Sequence, residues 1–148
     1  RGLKTVTGLT DSTRAWAAAD FTCPKDDYFE RFSEVIPQHP QGNGPAPTQA
    51  ELDAITLSFY HAQCVKDETM AESIVRARAA AGGTPLVIHV NGAFHSDYGD
   101  GTAERVRRRI PNARTLVVSA IPAKDLDAVT PSKDDRKKGD WLVYALRP

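Results

Sequence analysis

The order of textures between residues 85 and 120 constrains the fold of this chain more than any other feature. The run "PLVIHV" (85–90) is short and nearly continuously apolar, the composition of a strand covered on both faces. A glycine-bearing loop follows, "NGAFHSDYGDGT" (91–102), and then "AERVRRRI" (103–110), where Ala103, Val106 and Ile110 recur on one helical side. "RTLVVSA" (114–120) is a second strand of the buried type. Strand, loop, helix and strand in that order make a βαβ unit, with parallel strands joined by a right-handed crossover. "DWLVYAL" (140–146) completes the sheet as an edge strand, and the polar stretch between reads as a long surface loop. The expected class is α/β: a parallel or mixed sheet with a βαβ unit in the C-terminal half, and helices from the N-terminal half packed on it.

The first half supplies those helices. "DSTRAWAAAD" (11–20) offers Asp11 or Ser12 as the cap of a turn or two. In "CPKDDYFERFSEVIP" (23–37), Tyr28, Phe29, Phe32, Val35 and Ile36 fall at helical spacing, and Pro37 ends the run. "PQHPQGNGPAP" (37–47) has the proline and glycine content of an exposed connector. Thr48 and Glu51 have capping-box spacing and predict a helix start, with Leu52, Ile55, Phe59 and Ala62 on one face. A further amphipathic stretch, "DETMAESIVRARAAAGG" (67–83), places Met70, Ile74 and Ala77 together and ends at Gly82 with Pro85 beyond. The apolar stripe shifts phase from Cys64 to Lys66, which predicts two helices bent near Val65.

At 148 residues the chain can bury one core, so a single domain over 1–148 is expected. Acidic and basic residues balance at 19 each, so no global field draws nucleic acid, and no apolar run reaches the length of a membrane span. Cys23 and Cys64 have no C-x-x-C spacing. Pairing in an oxidising compartment and separate burial as small apolar residues are both open, with separate burial the simpler reading.

The loop is the candidate site because ligands of open α/β sheets gather beyond the carboxyl ends of parallel strands. Gly92, Gly99 and Gly101 let the backbone turn and approach a ligand closely. His95 offers an imidazole nitrogen to a metal or a proton, and Tyr98 offers a phenolate oxygen once a Lewis acid lowers its pKa. Asp97 and Asp100 can ligate a hard cation or orient the imidazole. Ordinary turn chemistry also selects such residues. His89, between Ile88 and Val90, reads as a core histidine, while His61 and His39 read as surface residues. Glu68 and Glu72 repel at helical spacing, and Glu72 has Arg76 four residues on as a favourable partner. Arg107, Arg108 and Arg109 read as a solvated helix exterior.

The stretches "AQCVKDETMAESI", "HVNGAFHSDYGDGTAERVRRRIP" and "DWLVYAL", with "FTCPKDDYFERF" upstream, resemble the ChaN-type haem-binding uptake proteins of the Tiki superfamily. The likeness runs from about Phe21 onward and is strongest in the loop, where "GAFH" matches the superfamily's glycine–two residues–histidine motif. It implies a single ChaN-like α/β domain tied to iron acquisition, often anchored as a periplasmic or cell-envelope lipoprotein. Carried over by position, Gly92 and His95 occupy that motif, and Asp67, Met70 and Glu72 fall on the family's helical "D-x-x-M-A-E" segment. Members open with a strand and an acidic "G-E"-type motif that has no counterpart here, so the domain is expected to lack its N-terminal strand or strands.

The leading expectation is binding of haem or iron, with His95 or Tyr98 as metal ligand and Phe94, Gly92 and Met70 lining the cofactor. A homodimer enclosing the ligand is possible. The alternative is a divalent-metal-dependent hydrolase of the same superfamily, a protease or esterase, using His95 and Glu72. A non-catalytic interaction domain is the third reading.

Overall fold

The computed structural model describes residues 8–36 and 47–147. The chain forms two compact units that divide between Thr69 and Met70. Residues 37–46 of the proline-rich connector, Pro37 and His39 among them, lie outside the described residues.

The first unit is built on one helix face. After a single turn at α1 (Asp11–Arg14), helix α2 spans Asp27–Val35, capped by the Asp26 carboxylate, which accepts from the Phe29 amide at 3.2 Å. Helix α3 spans Gln49–Ala81. Its start has the capping box expected from sequence. The Thr48 amide and hydroxyl both donate to Glu51 at 2.8 Å, and the Glu51 amide reaches back to the Thr48 hydroxyl at 3.4 Å. Those bonds hold the Glu51 carboxyl below the usual carboxylate range.

The expected bend near Val65 is absent, because residues 49–81 form one uninterrupted helix. The reason is the strap of residues 18–28, which engages successive turns of α3. Tyr60 Oη donates to the Pro24 carbonyl at 2.7 Å, Cys64 is joined to Cys23, and Glu68 Oε1 accepts from the Thr22 amide and hydroxyl at 3.1 and 2.8 Å. The Ala18 amide then donates to Thr69 Oγ1 at 3.2 Å. On the adjoining row, Tyr28 Oη donates to Asp67 Oδ2 at 2.8 Å and accepts from Gln63 Nε2 at 2.9 Å. The stripe therefore widens onto a second row of the same helix, which mimics a phase shift. Tyr60 is fully buried among the Tyr28, Phe29 and Phe32 rings, with centroids 4.9–5.9 Å away.

The cysteines are corrected too. Cys23 and Cys64 form a disulfide with a Cα–Cα distance of 5.6 Å, closing 41 residues of sequence. The simpler, unpaired reading fails because the strap lays Cys23 directly against the buried Cys64 turn.

In the second unit, α3 ends at Ala81 and Gly82 follows with φ 67°, as the stop signal predicts. Helix α4 spans Gly101–Arg109 and buries Thr102, Ala103, Arg105 and Val106. Strand β1 (Val118–Ala123), the single turn α5 (Asp135–Lys138) and strand β2 (Trp141–Leu146) follow. The strands pair in parallel, Val118 opposite Trp141 and Ala123 opposite Leu146. The α/β class and a parallel strand–helix–strand unit in the C-terminal half therefore stand, with β1 and β2 as its strands.

Three placements differ from expectation. Residues 86–90 are not a strand: 85–90 run without a backbone hydrogen bond to any described residue, and Leu86, Ile88 and Val90 are 86, 80 and 88 % exposed. An apolar run becomes a strand only where a neighbour accepts its backbone groups, and no described segment does so. His89 is consequently exposed rather than a core residue, and His61 is half-buried. The 121–140 stretch contains the end of β1 and the turn α5.

Candidate loop site in the second unit

The loop 92–101 is folded by its own backbone. Two successive 3₁₀ turns, Ala93–His95 and Asp97–Gly99, are closed by His95 N to Gly92 O at 2.9 Å and Gly99 N to Ser96 O at 3.1 Å. Tyr98 has φ 62° and Gly99 φ 75°, so two consecutive residues occupy the left-handed region. Glycine does so freely, whereas a bulky tyrosine there stores roughly 1–3 kcal/mol that surrounding contacts must offset. At Gly99 a Cβ would stand 3.0 Å from the Arg107 guanidinium, whose Nη1 donates to the Gly99 carbonyl at 2.7 Å. The arginine sequence reading placed in solvent is thus a clamp on the loop.

Two further side-chain attachments fix the loop to its surroundings. Asp97 Oδ1 accepts from the buried Ser119 hydroxyl at 2.5 Å. Burial pushes the Asp97 carboxyl up, with the Ser119 bond opposing that rise. Tyr98 Oη donates to Asp134 Oδ2 at 2.9 Å. Burial first, and then that bond and the Asp134 charge, push the Tyr98 phenol above its ordinary value. Lys138 Nζ lies 2.9 Å from Asp135 Oδ1 and 3.5 Å from Asp134 Oδ2, and the Asp135 bond holds its ammonium charged to higher pH than usual.

The sequence-derived candidates fall into separate places. His95 and Phe94 are half-buried on the first 3₁₀ turn, and Gly92 lies under the imidazole, where a Cβ would meet His95 Cδ2 at 3.8 Å. Tyr98 lies on the second turn, engaged with Asp134. Met70 and Glu72 lie on α3, Met70 half-buried and Glu72 ion-paired with Arg76 as its spacing predicts. Asp67 belongs to the first unit, where Tyr28 holds it. Asp100 precedes α4, and its backbone carbonyl accepts from the Ala103 amide at 3.0 Å. Among the described residues no three His, Cys, Asp or Glu side chains converge as a metal-ion cluster.

Sequence reasoning missed Ser119, Asp134 and Lys138. Tyr98 and Asp134 lie 36 residues apart, and neither spacing nor composition links them. It also missed the burial of Arg105, whose Nη1 donates to the Gly101 carbonyl at 3.0 Å.

The family model described as "Haem-binding uptake, Tiki superfamily, ChaN" matches residues 1–106. A relative from Arabidopsis thaliana, "Protein RETICULATA-RELATED 5, chloroplastic", is 41% identical over 91 residues, 59% of this chain and 12% of that protein. The chain thus spans only a small part of the curated relative's length. No solved structure matches. No helix among the described residues is long and apolar enough to cross a membrane.

Proposed function

We propose that this chain, which belongs to the haem-binding uptake family of the Tiki superfamily (ChaN), holds haem on the loop that follows residues 86–90, in the service of iron acquisition. The observation that carries the reading is a juxtaposition in sequence. The half-buried His95 imidazole lies five residues after a segment whose Leu86, Ile88 and Val90 side chains are exposed. Those exposed side chains offer apolar surface to a flat macrocycle. Exposed apolar surface of that kind marks a binding site more often than a bare protein surface.

The donor set fits haem. A porphyrin brings four nitrogens to its iron, so one protein ligand suffices, and a histidine is a common one. Bound haem would supply a redox-capable iron centre, while His95 would bind it and Phe94 would cover part of its face. The exposed Arg108 on α4 is suited to a propionate. Tyr98 is the second candidate ligand, and it would exchange its bond to Asp134 for the iron. The raised phenol favours His95 over Tyr98 at neutral pH. The Cys23–Cys64 disulfide supports a compartment that keeps thiols oxidised, such as a cell envelope. The chloroplastic location named for the plant relative is that of a much longer protein.

Haem titrated into the purified chain should produce a shifted Soret band at micromolar concentration. His95→Ala should weaken binding at least roughly tenfold, and Tyr98→Phe should weaken it less. A chain that leaves the haem spectrum unshifted, or a His95→Ala variant that binds as the parent does, rejects the assignment.

A further inference from the structure

We infer that Asn91 is a site of spontaneous covalent modification, where the Gly92 amide closes a cyclic imide on the Asn91 side chain, and that the conversion opens the turn carrying His95. The chemistry is internal to the chain and consumes only water. The Gly92 amide nitrogen gives up its proton and bonds to Asn91 Cγ, the Cγ–Nδ2 bond breaks, and ammonia leaves. Water then opens the imide at one of its two carbonyls. Opening at Cγ leaves aspartate at position 91. Opening at the Asn91 backbone carbonyl leaves an isoaspartyl link, in which the main chain runs through the side chain and is one atom longer. The step requires a free amide, no side chain obstructing the attack, and a backbone that can rotate, and Asn91–Gly92 has all three. The Gly92 amide donates to no described residue, and Gly92 is exposed. Glycine carries no Cβ to shield its nitrogen, and residues 85–90 make no backbone hydrogen bond among the described residues. The Asn91 side chain leans toward Gly92, its Nδ2 donating to the Gly92 carbonyl at 3.2 Å. Asp100–Gly101 has the residue types for the same imide but not the freedom. Gly101 is buried at the start of α4 and its carbonyl accepts from Arg105 at 3.0 Å, while the Asp100 carbonyl accepts from the Ala103 amide at 3.0 Å.

The modification reaches His95 through one acceptor. The Gly92 carbonyl takes a bond from Asn91 Nδ2 and another from the His95 amide at 2.9 Å, and the second closes the Ala93–His95 turn. Conversion replaces Nδ2, a donor, with a carboxylate oxygen that can only accept. An anionic oxygen then faces the carbonyl oxygen, and the two repel. The isoaspartyl product adds its extra main-chain atom immediately before the turn, which shifts the Gly92 carbonyl away from the His95 amide. Either product loosens the turn, and the isoaspartyl one does so more. Weakened haem binding would follow, and that last effect rests on the haem reading above, whereas the covalent step and the opened turn do not.

The purified 148-residue chain, aged without haem in mildly alkaline buffer and mapped by fragmentation mass spectrometry, tests the site directly. Asn91 should convert at least roughly tenfold faster than Asn112, which precedes alanine and whose following amide is engaged with the Ile110 carbonyl at 3.0 Å. Asp100 should yield no isoaspartate. Gly92→Ala should slow conversion at Asn91 at least roughly tenfold. Gly92 has φ −65°, and a Cβ there would meet only His95 Cδ2 at 3.8 Å, so the variant keeps its backbone. Hydrogen exchange at the His95 amide should be faster in the aged chain than in the fresh one, and the aged chain should bind haem at least roughly tenfold more weakly. Conversion of Asn91 no faster than that of Asn112 overturns the inference, as does a Gly92→Ala chain that converts like the parent. An aged chain whose His95 amide exchanges as in the fresh chain overturns it too. A fresh chain that leaves the haem spectrum unshifted rejects the haem reading alone, because the conversion and the opened turn are read by mass and by exchange.

Discussion

The Tyr98 hydroxyl donates to the Asp134 carboxylate at 2.9 Å while the Tyr98 backbone sits at φ 62°. The bond holds a residue in a conformation its side chain disfavours, and it stabilises the neutral phenol over the phenolate. Asp134→Asn removes both the charge and the strongest acceptor, so Tyr98 should ionise at lower pH, closer to the ordinary value of 10.0. Burial, the larger cause, remains. Tyrosinate absorbance in an alkaline titration, compared with Tyr98→Phe to identify the residue, measures the change. The same variant should make Tyr98 a better ligand for ferric iron. An unchanged titration would mean that burial alone raises the phenol.

The disulfide makes the strongest stability statement. Cross-linking positions 41 residues apart restricts the unfolded chain, and loops of that size contribute ~2–4 kcal/mol in the chain-entropy description. The double variant Cys23→Ser/Cys64→Ser should therefore lose about that amount in urea denaturation. The Thr22 contacts to Glu68 and the Tyr60 contact to Pro24 flank the bridge and should be lost with it if the strap detaches. Hydrogen exchange at the Thr22 amide reports that directly. A loss below roughly 1 kcal/mol would show that the noncovalent strap holds without the bridge.

Acid should find a weak point near α5. The Asp135 carboxyl is drawn down from 3.8 to about 2, first by the Lys138 ammonium and then by the Ser132 amide and hydroxyl. A group whose folded pKa lies below its unfolded value contributes stability above the unfolded value, and that contribution disappears as pH falls through the folded one. The window is therefore from about 4 down to about 2, and Asp135→Asn should lack this part of the acid limb. Asp97 has the opposite sign. Its raised carboxyl binds a proton more readily when folded, so its contribution falls as pH rises through the region above 3.8. Denaturation midpoints between pH 2 and 5 for the parent and the Asp135→Asn and Asp97→Asn variants separate the two. Identical acid limbs in the parent and Asp135→Asn would refute the assignment.

Local chemistry was legible in the sequence, and pairing across distance was not. The Thr48–Glu51 box, the Gly82 stop, helix α4 and strand β2 each follow from residues within a few positions of one another, so spacing reports them. The apolar 85–90 run reads as a strand, but a strand is completed by the partner that takes its backbone bonds, and sequence pattern cannot supply one. The single long helix was misread because the strap buries two rows of α3, and periodicity assumes one. Buried Asp67, Glu68 and Arg105 were invisible for a related reason. Charge predicts exposure unless a partner hidden elsewhere in the chain, such as Tyr28 or Thr22, satisfies it. At the loop, residue types pointed to His95 and Tyr98, but Ser119, Asp134 and Lys138 arrive from later elements.

The junction of β1 and β2 depends on one missing methyl group. Gly139 sits in an extended conformation any residue can adopt, so its importance is space rather than backbone freedom. A Cβ there would stand 2.8 Å from the Val117 carbonyl oxygen, 3.2 Å from the Trp141 carbonyl oxygen and 3.3 Å from the Ser119 amide nitrogen. All three are backbone atoms and cannot rotate away. The Val117 oxygen already accepts from the Asp140 and Trp141 amides at 2.9 and 3.1 Å, and the Val117 amide donates to Asp140 Oδ2 at 2.7 Å. Gly139→Ala must therefore move the strands apart where their pairing begins, at a cost of ~1–3 kcal/mol typical of overpacking. Urea denaturation should show that loss, and hydrogen exchange should quicken at the Trp141 amide before those at the far end of β2. If Gly139→Ala is as stable as the parent, with Trp141 equally protected, the close approach of the two strands at this point is wrong.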